Sequence, residues 1–195
     1  MIELAILGSL KERPMHGYQL SRELAAQVGG LWRVSYGSLY PTLRRLQASG
    51  AIDADGAEGT GGRRKTVYRI TPQGEELFLE LLQEAPQEGQ AEDARFRMRL
   101  AFFRYLPPET RIRLLERRRA GLETRLDEVK ARLHDPAATD DYQRAILDHG
   151  RAATDADIAW LTDLIAQERS KHGITAPHGE RRRAQATLRR KEHTA

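Results

Sequence analysis

The sequence predicts a mainly α-helical protein with one small two-stranded β-hairpin, and two observations support this fold class. Aliphatic residues recur at spacings of three and four through most of the chain, which is typical of helices with one buried face. Residues 51–70 instead place two short runs of strand-forming residues around a glycine-rich stretch. Because the 195 residues include no cysteine, neither a disulfide framework nor a thiolate zinc site is available.

Two helices are predicted at the N-terminal end, and each is followed by residues that stop helices. The first covers residues 2–12 and ends before Pro14, since the residue that precedes a proline favours an extended backbone. The second covers about 16–28, where aliphatic residues recur every four positions, and it ends at the glycine pair 29–30.

A third helix is predicted over about 38–49, with Ser38 as its N-cap and Gly50 in the left-handed position after its last turn. Its apolar stripe, which we expect to pack on the core, consists of Leu39, Leu43 and Leu46. The residues left for the exposed face are Tyr40, Pro41, Thr42, Arg44 and Arg45.

A β-hairpin and a fourth helix follow. Short strands are expected near 51–54 and 66–70, and residues 56–65 between them are too rich in glycine to form a helix. Thr71-Pro72 is typical of an N-cap and a first helical residue, so a helix should follow over 72–84. Three helices followed by a two-stranded wing make a winged helix-turn-helix.

The second half of the chain is predicted to contain one short helix and two long helices. Phe96, Leu100 and Phe103 mark the short helix, and the long ones cover about 108–134 and 139–171. In the first long helix, a coiled-coil heptad pattern is formed by Ile112, Leu115, Leu122, Leu126, Val129 and Leu133. Such a pattern favours a helical dimerisation domain.

These elements divide the sequence into four predicted parts. A winged helix-turn-helix domain covers residues 1–84, and a polar, acidic linker with a proline and a glycine covers 85–94. The helical dimerisation domain covers 95–172. Residues 173–195 are polar and basic with few aliphatic side chains, so we expect a disordered tail.

Several classes of protein are disfavoured by the sequence. No apolar run approaches the roughly 18 residues that a membrane span needs, and Glu3 stands where a signal peptide would carry a basic residue. Together with the absence of cysteine, this indicates a cytoplasmic protein without a membrane partner. No His-Glu-x-x-His, nucleotide-binding Gly-Lys-Ser/Thr or Gly-x-Ser-x-Gly motif occurs. We therefore expect no enzyme activity, no metal and no cofactor.

The distribution of charge indicates a polyanionic partner for the N-terminal part. Residues 1–71 carry 10 Lys and Arg against 6 Asp and Glu, whereas residues 72–94 carry seven acids and no base. Alternating blocks of this kind usually reflect solvated helix faces. Only the N-terminal block combines its positive charge with an exposed helix and a basic hairpin, and this combination predicts binding to double-stranded DNA.

Three segments resemble the PadR family of transcriptional regulators: Pro-Met-His-Gly-Tyr-Gln-Leu at 14–20, Gly-Ser-Leu-Tyr-Pro-Thr-Leu-Arg-Arg-Leu at 37–46 and Arg-Lys-Thr-Val-Tyr-Arg-Ile-Thr at 64–71. Residues 96–115 resemble the C-terminal helical domain of the longer-armed subgroup. The resemblance implies a homodimeric repressor with winged-helix domains and a helical dimerisation domain, often tuned by a small ligand. The ligand and the repressive effect rest on the resemblance alone.

The residues expected to bind DNA lie at the start of the second helix, on the third helix and in the hairpin: Tyr18, Tyr36, Ser38, Tyr40, Pro41, Thr42, Arg44, Arg45, Arg63, Arg64 and Lys65. Arginine can bind guanine bidentately, and a tyrosine ring or threonine methyl can contact thymine. The basic hairpin tip would bind phosphates or enter the minor groove. The alternatives are solvated arginines, tyrosines packed on the second helix, and a hairpin that only protects a sheet edge. A homodimer would read a pseudo-palindromic operator.

Trp160 and Phe96 are the residues that could contact a small-molecule effector, because aromatic rings at a dimer interface offer a flat surface. Packing in a core or interface is the alternative for both. The basic triplets at 181–183 and 189–191 could extend the DNA contact or only keep the tail soluble. A second functional hypothesis is a non-enzymatic winged-helix scaffold that binds protein or structured RNA, a role that the acidic residues 72–94 would suit.

Overall fold

The computed structural model describes residues 1–27, 36–58, 64–85, 91–133 and 140–174. Their elements in chain order are α1 (Ile2–Glu12), β1 (Met15–His16), α2 (Gly17–Gln27), α3 (Tyr36–Ala48), β2 (Ile52–Glu58), β3 (Arg64–Ile70), α4 (Pro72–Gln83), α5 (Ala91–Leu100), a 3₁₀ turn (Phe103–Tyr105), α6 (Pro108–Leu133) and α7 (Asp141–His172). The protein is therefore mainly helical with a small antiparallel sheet, as predicted. Its contacts divide it into two compact units, Met1–Leu106 and Pro107–Ala195.

Helix α1 lies at the centre of the first unit and contacts α2, α3, α4 and β3. All seven residues from Leu4 to Leu10 are buried, so α1 is covered on every side rather than on one face. Helix α3 buries Leu39, Leu43 and Leu46, which are at most 2% exposed. The predicted leucine stripe is confirmed, and its burial decides which face of α3 remains at the surface.

The sheet has the strand order β1-β3-β2, with antiparallel pairing throughout. β2 and β3 pair from Ile52 opposite Ile70 to Glu58 opposite Arg64. Both strands are longer than predicted, because the ladder continues into the glycine-rich segment that the sequence assigned to the loop. The predicted tip residue Arg63 lies outside the described residues.

The strand β1 was not predicted and makes the sheet three-stranded. Pro14 ends α1, and Arg13 before it is extended, with φ −166° and ψ 154°. The chain therefore leaves α1 in a strand conformation, and Met15, which is 2% exposed, anchors it in the core. Met15 lies opposite Tyr68 and His16 opposite Val67, so this strand connects the start of α2 to the wing.

The end of α3 lies against the start of α4. Gly50 has φ 74°, as expected for the left-handed position after a helix. Thr71 caps α4 as predicted: its hydroxyl oxygen accepts a hydrogen bond from Gly74 N at 3.1 Å and donates one to Gly50 O at 2.7 Å. A Cβ on Gly74 would lie 2.0 Å from Ala51 O, so only glycine fits the close approach of these two backbones.

The predicted cap of α3 is wrong. The helix begins at Tyr36, two residues before Ser38, so Ser38 lies inside its first turn. Residues 28–35, which precede α3, lie outside the described residues.

Residues 91–106 pack with the first unit, whereas the sequence assigned 85–94 to a linker and 95 onward to the second domain. Helix α5 begins at Ala91, and the almost fully buried Glu92 forms an ion pair with the equally buried Arg99. Arg99 also donates to Glu84 O at 2.8 Å, which binds the end of the α4 segment to α5. The acidic composition suggested a linker, but a buried arginine neutralises one of its carboxylates.

Phe102 explains why this extension stays on the first unit. Its ring is 2% exposed and lies edge-on to Phe78 of α4, with ring centroids 5.7 Å apart. It also packs against the bare backbone of Gly8 in α1, where a Cβ would lie 2.4 Å from the ring atom Cε1. A glycine in the middle of α1 thus makes the space that an aromatic side chain fills.

The second unit is formed by α6 and α7. Arg111, in the first turn of α6, pairs with Glu168 near the end of α7 at 3.2 Å, so the two helices are antiparallel. Four of the predicted heptad residues are buried: Ile112, Leu115, Leu122 and Leu126. Asp140 caps α7 by accepting from Tyr142 N and Gln143 N, and Gly173 ends it in the left-handed conformation, φ 63°.

Candidate nucleic-acid interface

The outer face of α3 is the side opposite its leucines, and its exposed residues are Ser38, Tyr40, Pro41, Arg44 and Arg45. Tyr40 is 40% exposed and the Arg45 side chain 65%. Tyr36 is the first residue of α3, and its side chain lies outside the described residues. A helix with two exposed arginines and a tyrosine on one face has the donors and apolar surface that base edges require.

Thr42 does not belong to this face, and the prediction that it looks outward is wrong. It is 4% exposed, and its Oγ1 donates to Ser38 O at 2.8 Å. Positions 39, 42, 43 and 46 lie on one side of a 3.6-residue helix, so Thr42 shares the leucine side. Its hydroxyl is tolerated there because it bonds to the carbonyl one turn back.

Arg45 is exposed but not isolated. Its Nε and Nη2 donate to one carboxylate oxygen of Glu3 in α1, at 3.1 Å and 2.8 Å. Glu3 is itself about one third exposed. The guanidinium can therefore exchange this carboxylate for a DNA phosphate without leaving a buried charge behind.

The hairpin of β2 and β3 is the second part of the interface. In the backbone ladder, Lys65 pairs with Ala57 and Arg64 pairs with Glu58. The side chains of Arg64 and Lys65, and the whole of Arg63, lie outside the described residues. Arg69 is exposed on β3, with its Nε 3.5 Å from Asp55 Oδ2 on β2. The wing backbone thus projects from the same sheet that holds the start of α2.

A cleft of about 420 Å³ lies between the start of α2, the start of α3 and the strand β3. We call it the tyrosine cleft, and its lining residues are His16, Gly17, Tyr18, Gln19, Tyr40, Thr66 and Tyr68. Tyr18 is 61% exposed at its mouth, so the alternative that Tyr18 packs inside α2 is ruled out. Tyr40 joins the cleft to the outer face of α3.

The cleft is shaped by two contacts near His16. The His16 ring Nδ1 lies 3.3 Å from Thr66 O, and the His16 amide donates to the Gln19 side chain at 3.1 Å. Gly17 leaves room for the Tyr40 ring, because a Cβ at that position would lie 3.1 Å from it. The contact of His16 with Thr66 joins the start of α2 to β3, and Gly17 lets α3 approach the same opening.

Tyr68 was missed by the sequence analysis, although its position could have indicated it. Residues alternate between the two faces of a strand, so Thr66 and Tyr68 share the face that turns toward the cleft. Burial raises the pKa of Tyr68 above its ordinary value; the neighbouring Tyr40 raises this pKa further, while Arg44 lowers it.

The two residues proposed for an effector have different surroundings. Phe96 is 5% exposed and lies edge-on to Phe103, with ring centroids 6.2 Å apart, so it is a core residue of the first unit. It does not offer a surface to a ligand. Trp160 on α7 is 44% exposed.

Within the described parts of the chain, no three His, Asp or Glu side chains come close enough together to bind a metal ion. Over those ranges, no helix combines the length and the apolar character that crossing a bilayer demands.

Comparison with known proteins gives two consecutive family matches. Residues 6–89 match the model of the transcriptional regulator PadR-like family, and residues 94–168 match the family described as virulence activator alpha C-term. The first match spans α1 to α4 with the wing, and the second spans most of α5 through α7.

Three relatives illustrate the similarity. Transcriptional regulator Rv3488 of Mycobacterium tuberculosis is 38% identical over 79 residues, which is 40% of this chain and 70% of that protein. Probable transcriptional regulator Rv1176c of the same organism is 27% identical over 176 residues, 82% of this chain and 93% of that protein. Bacillus subtilis PadR in complex with operator DNA is 17% identical, covers 85% of this chain and 96% of its own, and has a TM-score of 0.43.

Proposed function

Because the chain belongs to the PadR-like family of DNA-binding transcriptional regulators, we propose that it is a repressor that acts as a homodimer on a pseudo-palindromic operator. A member of this family is a regulator and not an enzyme. In the proposal, residues 1–84 bind DNA, the helices of 95–172 dimerise the protein, and each winged helix-turn-helix occupies one of two successive major grooves.

The observation that carries the proposal is the orientation of α3. Leu39, Leu43 and Leu46 hold one side of the helix in the core, so Tyr40 and Arg44 are left at the surface beside the wing. A helix presented in this way can lie in the major groove while the basic wing binds flanking phosphates. Arg63, Arg64 and Lys65 are the proposed wing contacts, and Ser38, Tyr40, Pro41, Arg44 and Arg45 the proposed contacts of α3.

Two arginines should separate sequence recognition from phosphate binding. Arg44→Ala should reduce the preference for the operator over scrambled DNA, since it removes a base contact. Arg64→Ala should weaken binding to all sequences and reduce the slope of log affinity against log salt by about one. Gel shifts on the DNA upstream of the protein's own gene, repeated on scrambled DNA, measure both effects. Equal losses on both DNAs for both variants would reject this assignment.

The homodimer is supported by an apolar stripe along α7. Its members, five apolar or aromatic residues and one histidine, follow alternating spacings of four and three residues and are all exposed: Tyr142, Ile146, His149, Ala153, Ala156 and Trp160. Tyr142 is 83% exposed and Ile146 71%. The buried residues of α7, Leu161 and Ile165, lie on a different side. An exposed apolar row of this length is typical of a protein interface.

Sedimentation equilibrium tests the dimer directly. The wild-type protein should sediment as a dimer, and Ile146→Glu should shift it toward the monomer, because a carboxylate would then face the apolar stripe of the partner. The variant should also lose DNA affinity, since one protomer engages only one half-site. A wild-type protein that stays monomeric while it binds the operator would contradict the homodimer.

We further propose a planar small molecule as the effector, with Trp160 as its contact on the α7 stripe. An exposed indole offers a large flat surface and a hydrogen-bond donor to such a ligand. Thermal-shift screening of planar aromatics and nucleotides, followed by gel shift with each hit, tests this part. A hit that binds Trp160→Ala as well as the wild type would exclude this site.

A further inference from the structure

The proposed contacts of α3 and the wing leave the tyrosine cleft without a function. We propose that it receives one phosphodiester of the DNA backbone with the adjoining deoxyribose, and that Tyr68 and Tyr40, together with Tyr18, donate their hydroxyls to the phosphate. The proposal rests on the proposed function, because it assumes that the outer face of α3 meets DNA. It adds Tyr68 to the DNA-binding residues.

The position of the cleft supports this occupant. Its three sides are the start of α2, the start of α3 and the strand β3, which are the elements that flank a groove-bound recognition helix. Tyr40 belongs both to the outer face of α3 and to the cleft. When α3 lies in the major groove, the backbone strand at the edge of that groove is the part of DNA that passes the opening.

The chemistry of the lining favours a sugar-phosphate unit. Three phenol hydroxyls and the Thr66 hydroxyl are neutral donors, and phosphate oxygens accept hydrogen bonds from such groups. The tyrosine rings offer apolar surface to the carbons of the deoxyribose. None of the seven lining residues is a lysine or an arginine, so the contact is made by neutral hydrogen bonds rather than by ion pairing.

The hydroxyl of Tyr68 can donate a hydrogen bond, and the strand that carries it is held by His16. A tyrosine hydroxyl is protonated at neutral pH, and burial and the neighbouring Tyr40 raise the pKa of Tyr68 above its ordinary value. His16 lies against Thr66 O at 3.3 Å and ties β3 to the start of α2, which keeps the two sides of the cleft at a fixed separation. His16 is thus a positioning residue.

A neutral contact has a measurable consequence. Salt dependence of DNA binding reports the phosphates that cationic side chains neutralise. Loss of a tyrosine hydroxyl should therefore lower affinity at every salt concentration and leave the slope of log affinity against log salt unchanged. A basic wing residue behaves differently, because its removal flattens the slope.

The test uses Tyr68→Phe, which removes the hydroxyl and keeps the ring, in the full-length protein. We expect about a 10-fold loss of affinity for the upstream DNA, in line with a hydrogen bond to a charged group, with an unchanged salt slope. Ethylation interference should show that one phosphate whose ethylation blocks the wild type no longer affects Y68F. Tyr18→Phe should lose sensitivity to ethylation of the same phosphate. Because Tyr18 is 61% exposed, removal of its hydroxyl should not impair folding.

Tyr105→Phe is the matched control, because Tyr105 loses the same hydroxyl outside the cleft, where its partner is Arg104 Nη2 at 3.3 Å. It should bind DNA as the wild type does. If the wild type binds DNA and both cleft variants bind equally well with the full interference pattern, the cleft assignment fails and the proposed function stands. If the wild type binds no duplex, the proposed function itself fails.

Discussion

Arg45 of the recognition helix α3 donates two hydrogen bonds to one carboxylate oxygen of Glu3 in α1, from Nε at 3.1 Å and from Nη2 at 2.8 Å. In the proposed complex, an acidic residue 42 positions away in the sequence would therefore compete with a DNA phosphate for this guanidinium. The Arg45 side chain is 65% exposed, so water screens the ion pair. Its loss should therefore change the free energy of unfolding only slightly.

We expect Glu3→Gln to bind DNA several-fold more tightly than the wild type at low salt. The change frees the Arg45 guanidinium for one additional phosphate, which should steepen the salt slope by about 0.9. The free energy of unfolding should change by less than about 1 kcal/mol, as for other exposed pairs. Gel shifts over a salt series and urea unfolding provide the two measurements.

Glu23→Gln is the control for the change in net charge. Glu23 pairs with Arg13 Nη2 at 2.9 Å, and the two side chains are 30% and 65% exposed, nearly the values of the Glu3–Arg45 pair. This second pair does not include a residue of α3. An equal gain of affinity in E3Q and E23Q would show that the net charge, and not the release of Arg45, causes the effect.

Gly8→Ala should destabilise the first unit by about 1–3 kcal/mol, the usual cost of an extra methyl in a packed core. The new Cβ would lie 2.4 Å from the Phe102 ring, which is buried against Phe78 and cannot move away freely. Alanine's higher helix propensity offsets only part of this cost. Urea denaturation of the purified variant gives the change in the free energy of unfolding.

Gly121→Ala provides the opposite result from the same chemical change. Gly121 lies inside α6, and apart from its own neighbours and helix backbone no described atom lies within 4 Å of the added Cβ. The variant should gain about 0.5–1 kcal/mol from helix propensity. A Gly8 variant as stable as this one would mean that Phe102 does not pack on α1.

Glu92→Ala should destabilise the protein by about 3–5 kcal/mol, since it leaves the buried Arg99 charge without this carboxylate. Glu123→Ala should cost less than about 0.5 kcal/mol, because Glu123 is 53% exposed and lies 3.7 Å from Arg119 within one helix. The comparison is again made by urea denaturation. Similar losses in the two variants would argue against the burial of α5 on the first unit.

Gly17→Ala should lower DNA affinity by several-fold and leave stability nearly unchanged. The added Cβ would lie 3.1 Å from Tyr40 Cε1 and 3.2 Å from its hydroxyl oxygen. Tyr40 is partly exposed, so its ring can shift by a few tenths of an ångström and lose its place between the cleft and the outer face of α3. The melting temperature and the dissociation constant are measured on the same preparation. Unchanged affinity would show that DNA binding tolerates a displaced Tyr40.

Local rules were sufficient for the ends and faces of several helices. Pro14 ends α1, Thr71 caps α4, and Gly50 takes the left-handed conformation, because each effect depends only on neighbouring backbone atoms. The leucine spacing likewise determined which side of α3 is buried. Thr42 was expected at the surface because its side chain is polar, although its helical position is on the leucine side. A hydroxyl that bonds to a carbonyl of its own helix can be buried.

The amino-acid pattern was sufficient to predict the winged helix-turn-helix, the heptad of α6 and the basic character of the DNA-binding part. Three contacts between distant residues became visible only in the folded protein: Glu3 binds Arg45, Phe102 fills the space above Gly8, and His16, Tyr40 and Tyr68 surround one cleft. Spacings of three or four residues report one helix face, but they carry no information about which distant side chain meets it. Such long-range contacts depend on the packing of the whole unit, where volume and charge must match between residues far apart in the chain.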